Sequence, residues 1–430
     1  MMNIRSWSGL PFPESSRWIA LHWTSETPFT WSNDVLLPRG CGRSYGDVCL
    51  PSQTAVLCTP CDRIRRFDRE RGIICLEAGA RISDILRLTI PAGWTLPVVP
   101  GTAQVTIGGA IANDIHGKSH HWAGTFGRWV ERLELLRSDQ RIVCTPCDNA
   151  ELFRATIGGL GLTGIITWAE LQLVPTRSPW LETRNIAFST LDEFFAITAE
   201  IEQNTEYVVG WCDLSVAGRI RGIVHASSFC DENAQSRTPR PSSANLPTLP
   251  VSVWTQATVR VANTLRWQML SRRPIVREHY SQAFFPLDHV PWNRLFGRRG
   301  FYQLHAVIPR QIERTGIDRI VARLWEAKLP VPLCVLKRFA DIASPGMLSF
   351  PIAGTSIAVD VPNTAHASAA LKAIITDVVE MGGRVYPAKD ALMTALHFQR
   401  MYPHWQRLEK LRDRRTCSQF WERVTHVTSP

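Results

Sequence analysis

The amino-acid sequence predicts an α+β protein of two lobes, and three observations carry that expectation. At 430 residues the chain exceeds what one hydrophobic core commonly organises. Its first 180 residues alternate short β-rich runs with Gly/Pro punctuation and brief helical stretches. From about Trp180 the texture turns to longer amphipathic segments interleaved with strands. The first lobe is placed at residues 1–178 and the second from 179. A hydrophobic fraction of 45% against 20% charged supplies apolar surface for both cores.

In chain order, Val35–Leu37, Ile73–Leu76 and Leu133–Leu136 read as strands, because apolar residues cluster there between polar breaks. Ile82–Leu88 reads as a short helix ahead of the Pro91-Ala92-Gly93 turn. In the second lobe Leu191–Ile201 has helical spacing and Gly222–His225 reads as a strand. Asp231–Pro250 is polar, rich in Pro and Ser and poor in large apolar residues, and reads as a mobile loop. Strands resume at Phe301–Ile308, Cys334–Leu336 and Ile357–Val359. A helix follows over Ala367–Glu380, and the tail is strand, turn and a helix over Asp390–Met401.

The net charge is +10, from 48 Lys+Arg against 38 Asp+Glu. Many of these cations, such as Arg63, Arg65, Arg66, Arg69 and Arg71, fit solvated faces. The surplus also suits an anion: a cofactor pyrophosphate, a phosphorylated substrate or anionic lipid. No zinc-finger, homeodomain or basic-zipper pattern is present, so nucleic acid is not the expected partner. No apolar stretch approaches the roughly 20 residues a bilayer demands. The first residues lack the apolar core of a secretory signal. A cytoplasmic location with room for peripheral membrane contact is the expectation.

Two CTPC motifs, Cys58–Cys61 and Cys144–Cys147, resemble zinc knuckles. They are separated by 82 residues, where zinc ribbons hold about 15–20. Each reads instead as a strand running into a helix-starting Asp (Asp62, Asp148), with Pro in the first turn. No metal is expected, and eleven cysteines without a signal do not suggest a disulfide framework.

Three glycine clusters fall in the first lobe. Residues 39–47 (RGCGRSYGD) follow a strand with GxGxxxG spacing, which is not the Rossmann fingerprint. Glycines alternating with Arg and Ser still make a loop whose amides can converge on an anion. Residues 100–117 carry Gly108-Gly109, which lets backbone approach a ligand closely, with Thr106 beside them. Lys118-Ser119-His120-His121 follows as a polar patch in a poorly helical context. The third cluster, 158–166, ends in a strand. Alone, each is equally a tight turn of a β-rich domain.

Taken together and in order, RGCGRSYGD (39–47), PGTAQVTIGGAIANDIHGKSHHWAGTFG (100–127) and ELFRATIGGLGLTGII (151–166) resemble the FAD-linked oxidases of the vanillyl-alcohol oxidase type. The resemblance is greatest to the branch of decaprenylphosphoryl-ribose 2′-oxidases and aldonolactone oxidases. It continues through 284–309, VLKRF (335–339) and YPAKD (386–390), and so covers most of the chain.

The resemblance implies an FAD-binding domain, a substrate domain over 179–383 with an antiparallel sheet and flanking helices, and a return of 384–430 to complete the FAD domain. It implies that FAD lies against Arg39, Gly40, Cys41, Gly42, Arg43, Ser44, Tyr45, Gly46, Asp47, Gly101, Thr106, Ile107, Gly108, Gly109, Asn113, Asp114, Ile115, His116, Ile165 or Ile166, and Tyr386. Lys389, Tyr45 and His116 match catalytic positions beside the flavin. Gln303, His305, Lys337 and Lys389 match positions facing the substrate. Read without the resemblance, Lys389 is an ordinary surface lysine opening the last helix.

The chemistry expected is oxidation of a secondary alcohol on a sugar or sugar-lipid to a ketone, the alcohol giving hydride to flavin N5 while a base takes its proton. Many relatives carry FAD on a histidine of the first glycine loop. Residues 39–47 hold none, so the FAD is expected to be non-covalent, with Cys41 the only thiol there. Ala358 stands where some relatives have cysteine, and His305 where they often have glutamine. The end, Arg414–Phe420, looks abbreviated. An aldonolactone or small-alcohol oxidase, and a basic zinc- or nucleic-acid-binding protein, stand as alternatives. A partner reductase is kept open.

Overall fold

The computed structural model describes residues 4–13, 17–231 and 247–425. Of the loop expected over Asp231–Pro250, residues 232–246 lie outside the described residues. Two antiparallel sheets dominate. One has five strands in the order Ile64–Asp68, Ile73–Glu77, Ile165–Gln172, Val130–Leu136, Arg141–Cys144. The other has eight, in the order Ile275–His279, Trp180–Phe188, Arg219–Phe229, Tyr207–Val216, Leu333–Phe339, Gly354–Pro362, Phe301–Pro309, Arg384–Val385. A small parallel sheet sets Thr54–Leu57 between Trp18–Ala20 and Leu36–Arg39. Helices and antiparallel sheets together bear out the α+β expectation.

Helices Leu191–Ile201, Glu313–Glu326 and Ala365–Glu380 cover one face of the eight-stranded sheet with an apolar stripe each, burying Phe194, Ile317, Ile320, Leu371 and Ile374 among the strand residues Val224, Leu336, Ile357 and Val359. Period-two alternation then turns the other strand residues to the opposite face. Gln303 and His305 on one strand, Ala358 and Asp360 on the next, and Val335 and Lys337 on the third share that face. The register pairs Gln303 with Asp360, His305 with Ala358, and Val335 with both Ala358 and Trp211.

The chain end closes onto the first lobe. Leu36 N–H donates to the Arg415 carbonyl at 2.8 Å, and Cys417 N–H to the Leu36 carbonyl at 3.1 Å. Arg423 then forks onto Asp47 at 2.8 Å and reaches Asp390 at 2.9 Å. The abbreviated end thus still makes a helix, Gln419–Thr425, whose Phe420 and Trp421 are buried.

Several local expectations need correction. Asp62 starts no helix: a strand, Ile64–Asp68, follows it, and Cys58 and Cys61 lie buried in the turn between two strands. Asp148 does lead into a helix, Ala150–Thr156. The last-but-two helix begins at Ala395, capped by Thr394, and not at Asp390. The Gly-rich segment Ile107–Ala112 is helical although glycine costs about 1 kcal/mol against alanine in a helix. Thr106 caps it, Ile107, Ala110 and Ile111 are buried, and a Cβ on Gly108 would stand 3.1 Å from that of Ala78, so close packing overrides propensity. His120–Ala123 likewise forms a helical turn within the patch read as poorly helical. No helix among the described residues is long and apolar enough to cross a membrane.

Candidate active site

The face of the eight-stranded sheet opposite helices Leu191–Ile201, Glu313–Glu326 and Ala365–Glu380 and the glycine loops of the first lobe enclose a cavity of about 740 Å³. That is the scale of a pocket for a large organic ligand. Its lining includes Cys58, Ala78 and Gly161, the loop Gly40–Tyr45, Thr106, Gly108 and Gly109, then Lys389, Gln303 and Lys337, and also Trp211 and Arg266.

The loop 40–44 is shaped from below. Arg39 turns its guanidinium back to the carbonyls of Cys49 at 2.5 Å and Arg5 at 2.6 Å, and a Cβ at Gly42, whose φ is +61°, would meet that guanidinium. Gly40 lies so close to Thr106 that a Cβ there would overlap its hydroxyl. None of the amide N–H groups of residues 40–44 finds a protein acceptor among the described residues, whereas Tyr45 N–H donates to the Ala388 carbonyl at 2.9 Å. Residues 40–44 are half-buried, so their amides stay open to an acceptor in the cavity, and a run of such amides can make an anion cradle. The amides at the start of the second cluster differ. Ile107 and Gly108 donate to Ala80 and Ala78 at 2.9 and 2.8 Å, and Gly109 to the Thr106 hydroxyl at 3.2 Å. That segment offers a close, flat wall and no amide array.

Buried polar side-chain atoms are also left open toward the cavity. Asn113 donates to the Gly109 carbonyl at 2.9 Å, yet its Oδ1 has no partner. Neither has Nδ1 of His116. The hydroxyl of Tyr386 donates to the Asn113 carbonyl at 2.9 Å, which ties the returning chain to the glycine wall. Free amides, orphaned side-chain atoms and a cavity of this volume with several glycines in its wall fit a dinucleotide with a planar ring.

The residues expected at this site divide. Arg39–Tyr45, Gly101, Thr106, Gly108, Gly109, Asn113, Ile115, His116, Ile166, Tyr386, Gln303, His305, Lys337 and Lys389 line the cavity. Gly46, Asp47, Ile107, Asp114 and Ile165 do not, for reasons of packing. Gly46 abuts the Asp390 carbonyl, and Asp47 is 2% exposed and held by Arg423. Ile107 is fully buried in the core. Ile165 faces the other side of its strand, so Ile166 is the member of that pair at the cavity. Asp114 accepts from Gly127 N–H at 2.8 Å and from the Ser349 hydroxyl at 2.5 Å, and burial pushes its carboxyl up to about 6. It braces the loop from behind.

Lys389, in the cavity wall, closes a short turn, Pro387–Lys389, and its Nζ stands 3.4 Å from the ring centre of Tyr45. Burial drives its ammonium pKa down to about 7; Asp360 opposes that fall and Lys337 adds to it. Tyr45 is wedged by Trp7 at 4.8 Å and Phe301 at 5.4 Å, and burial holds its phenol well above its usual range. His116 and His305 face each other at 5.0 Å, both driven by burial well below the usual imidazole range and therefore neutral. Lys337 is pressed down to about 8, again chiefly by burial.

Asp360 was not among the expected residues. It accepts from Gln303 Nε2 at 2.5 Å and from Trp292 Nε1 at 2.7 Å, and it is fully buried. A charged residue inside the apolar strand Ile357-Ala358-Val359-Asp360-Val361 is the signal that marks it in the sequence. Lys118, whose ammonium reaches the Ala283 carbonyl at 2.5 Å and is lowered by burial to about 8, was seen only as part of a polar patch. Among the described residues no three His, Cys, Asp or Glu side chains gather in a metal-binding group.

Residues 29–145 match the model of an FAD-binding domain. The chain is 32% identical to a decaprenylphosphoryl-β-D-ribose oxidase of Mycolicibacterium smegmatis, over 87% of this chain and 85% of that one. Shorter matches join it to a putative D-arabinono-1,4-lactone oxidase of Neurospora crassa, 29% identical over 32% of this chain and 25% of that one, and to an L-gulonolactone oxidase of Scyliorhinus torazame, 27% identical over 32% and 31%.

Proposed function

Because this chain belongs to the family of FAD-dependent oxidoreductases that includes decaprenylphosphoryl-β-D-ribose oxidase, we propose that it oxidises a secondary alcohol of a sugar or sugar-lipid to a ketone. The coarser statement holds without that proposal: it is a flavoenzyme with FAD as cofactor, acting on CH–OH groups. Bound flavin supplies the hydride acceptor for such a reaction.

The chain's own residues do the rest. The free amides of 40–44 would hold the pyrophosphate of a bound FAD, and Thr106, Gly108 and Gly109 with Asn113, His116 and Tyr386 would hold its ring. No histidine stands in the loop 39–47, so the FAD dissociates. Lys389, whose pKa burial lowers to about 7, takes the hydroxyl proton in its neutral form, with the Tyr45 ring against its amine. Gln303, His305 and Lys337 on the sheet face orient the remaining hydroxyls. The observation that carries this reading is a buried lysine beside Tyr45, its pKa lowered by burial, in the wall of a cavity whose other walls fit a dinucleotide.

The test is anaerobic bleaching of the purified holoprotein by a panel of substrates. Reduction by pentose sugars or their prenyl-phosphate esters, with FAD released by denaturation, is expected. Bleaching by aldonolactones alone would replace the substrate reading, and a protein that takes up no FAD would end it.

A further inference from the structure

The helix Gln256–Ser271 shows a division of faces that neither the fold nor the chemistry above uses. Its inner side packs on the large sheet: Val259 and Asn263 are buried, Asn263 donates to Asp213 at 3.2 Å, and the Arg266 guanidinium lies 4.6 Å over Trp211. Its outer side carries Val261 (61% exposed), Leu265 (61%) and Met269 (51%), spaced i, i+4, i+8 on one stripe. Single exposed apolar residues are commonplace, but an aligned row facing solvent is not. The stripe ends at the cavity mouth, since Met269 also lines the cavity.

The charge around the row is one-sided. From Pro247 to Arg277 there are five arginines and no Asp, Glu or Lys. Arg277 is tied to Glu182 at 3.1 Å and Arg266 points inward. Arg260, Arg272 and Arg273 are exposed and have no carboxylate partner among the described residues. A helix with an apolar outer stripe, flanking cations and no acid has the composition that lies in the headgroup layer of an anionic bilayer.

We propose that the outer face of the helix Gln256–Ser271 docks on an anionic lipid surface and so sets the cavity mouth against the membrane. Charge complementarity selects this occupant over a second copy of the chain, whose equivalent face would bring the same unpaired arginines together. The surface is independent of which alcohol is oxidised.

The holoprotein is sedimented with vesicles of phosphatidylcholine, with and without phosphatidylglycerol. Binding only to the anionic vesicles, weakened by added salt, is expected. Arg260→Gln with Arg272→Gln should weaken it about thirtyfold, at about fivefold per arginine. Val261→Asp with Leu265→Asp should abolish it, with flavin spectrum and melting temperature unchanged, since both side chains face water. Equal binding to neutral vesicles, binding undiminished in the Asp variant, or a dimer in solution that the Asp variant dissociates would each overturn the proposal.

Discussion

Replacing Lys389 with methionine separates what this side chain does for the reaction from what it does for the fold. Methionine nearly matches its length and volume and removes only the ammonium. No carboxylate stands within ion-pair distance of Lys389 among the described residues. Its resolved contact is the Tyr45 ring at 3.4 Å, worth about 2 kcal/mol when desolvated. Burying an ammonium costs several kcal/mol, so Lys389→Met should fold at least as stably as the parent. Losing a proton acceptor should slow flavin reduction by about 10²–10⁴-fold, or about 3–5 kcal/mol of barrier.

The pH dependence follows from the lowered pKa. The neutral amine is the acceptor, so below about pH 7, where Lys389 is protonated, the parent's reduction rate should fall about tenfold per unit. The variant should lack that limb. The sign for stability is separate. Between about 7 and the ordinary lysine value the unfolded chain binds a proton the folded chain does not, so the penalty from this group is relieved as pH rises through that window. Anaerobic stopped-flow bleaching across pH, with thermal melts of the same samples, measures both. A Lys389→Met protein that holds FAD and is reduced at the parent rate, or a parent rate flat across pH 7, would refute the assignment.

Asp360→Asn should lower turnover and move the acid limb to lower pH, because Asp360 holds the Lys389 pKa up and its amide replacement cannot accept from both Gln303 and Trp292. A pH–rate profile that stays in place would leave Asp360 with a packing role only. Gly40→Ala should yield folded protein with weakened FAD retention, read as flavin content after gel filtration, since a Cβ there displaces Thr106. Arg423→Gln should destabilise the fold by about 3–5 kcal/mol in urea melts, because it strands the buried Asp47 and Asp390 carboxylates.

Local chemistry made much of this protein legible before any coordinates. Branched apolar runs marked the strands Ile73–Glu77, Phe301–Pro309 and Gly354–Pro362, and helical spacing marked Leu191–Ile201 at its true ends. Glycines at 40 and 42 marked the candidate anion loop, and each has its own reason: Gly42 takes a positive φ of +61°, whereas Gly40 lies too close to Thr106 for a Cβ. Lys389, Tyr45, His116, Gln303 and Lys337 were joined in one expected site only by the family resemblance that the order of the motifs carries; by itself Lys389 read as a surface lysine. What the sequence could not resolve were properties created by neighbours distant in the chain. The helix at Ile107–Ala112 exists because Ala78 receives Gly108 closely, against the propensity of its own residues. Asp47 and Asp114 look like cofactor ligands until Arg423, 376 residues away, and Ser349, 235 away, are seen to take their oxygens. Asp360 gains its role only when a neighbouring strand and two short turns bring Gln303, Trp292 and Lys389 around a carboxylate stripped of water. Burial and long-range pairing depend on the whole fold, and they set each ionisable group's charge, so the tertiary structure alone decided which of the polar residues are free to act.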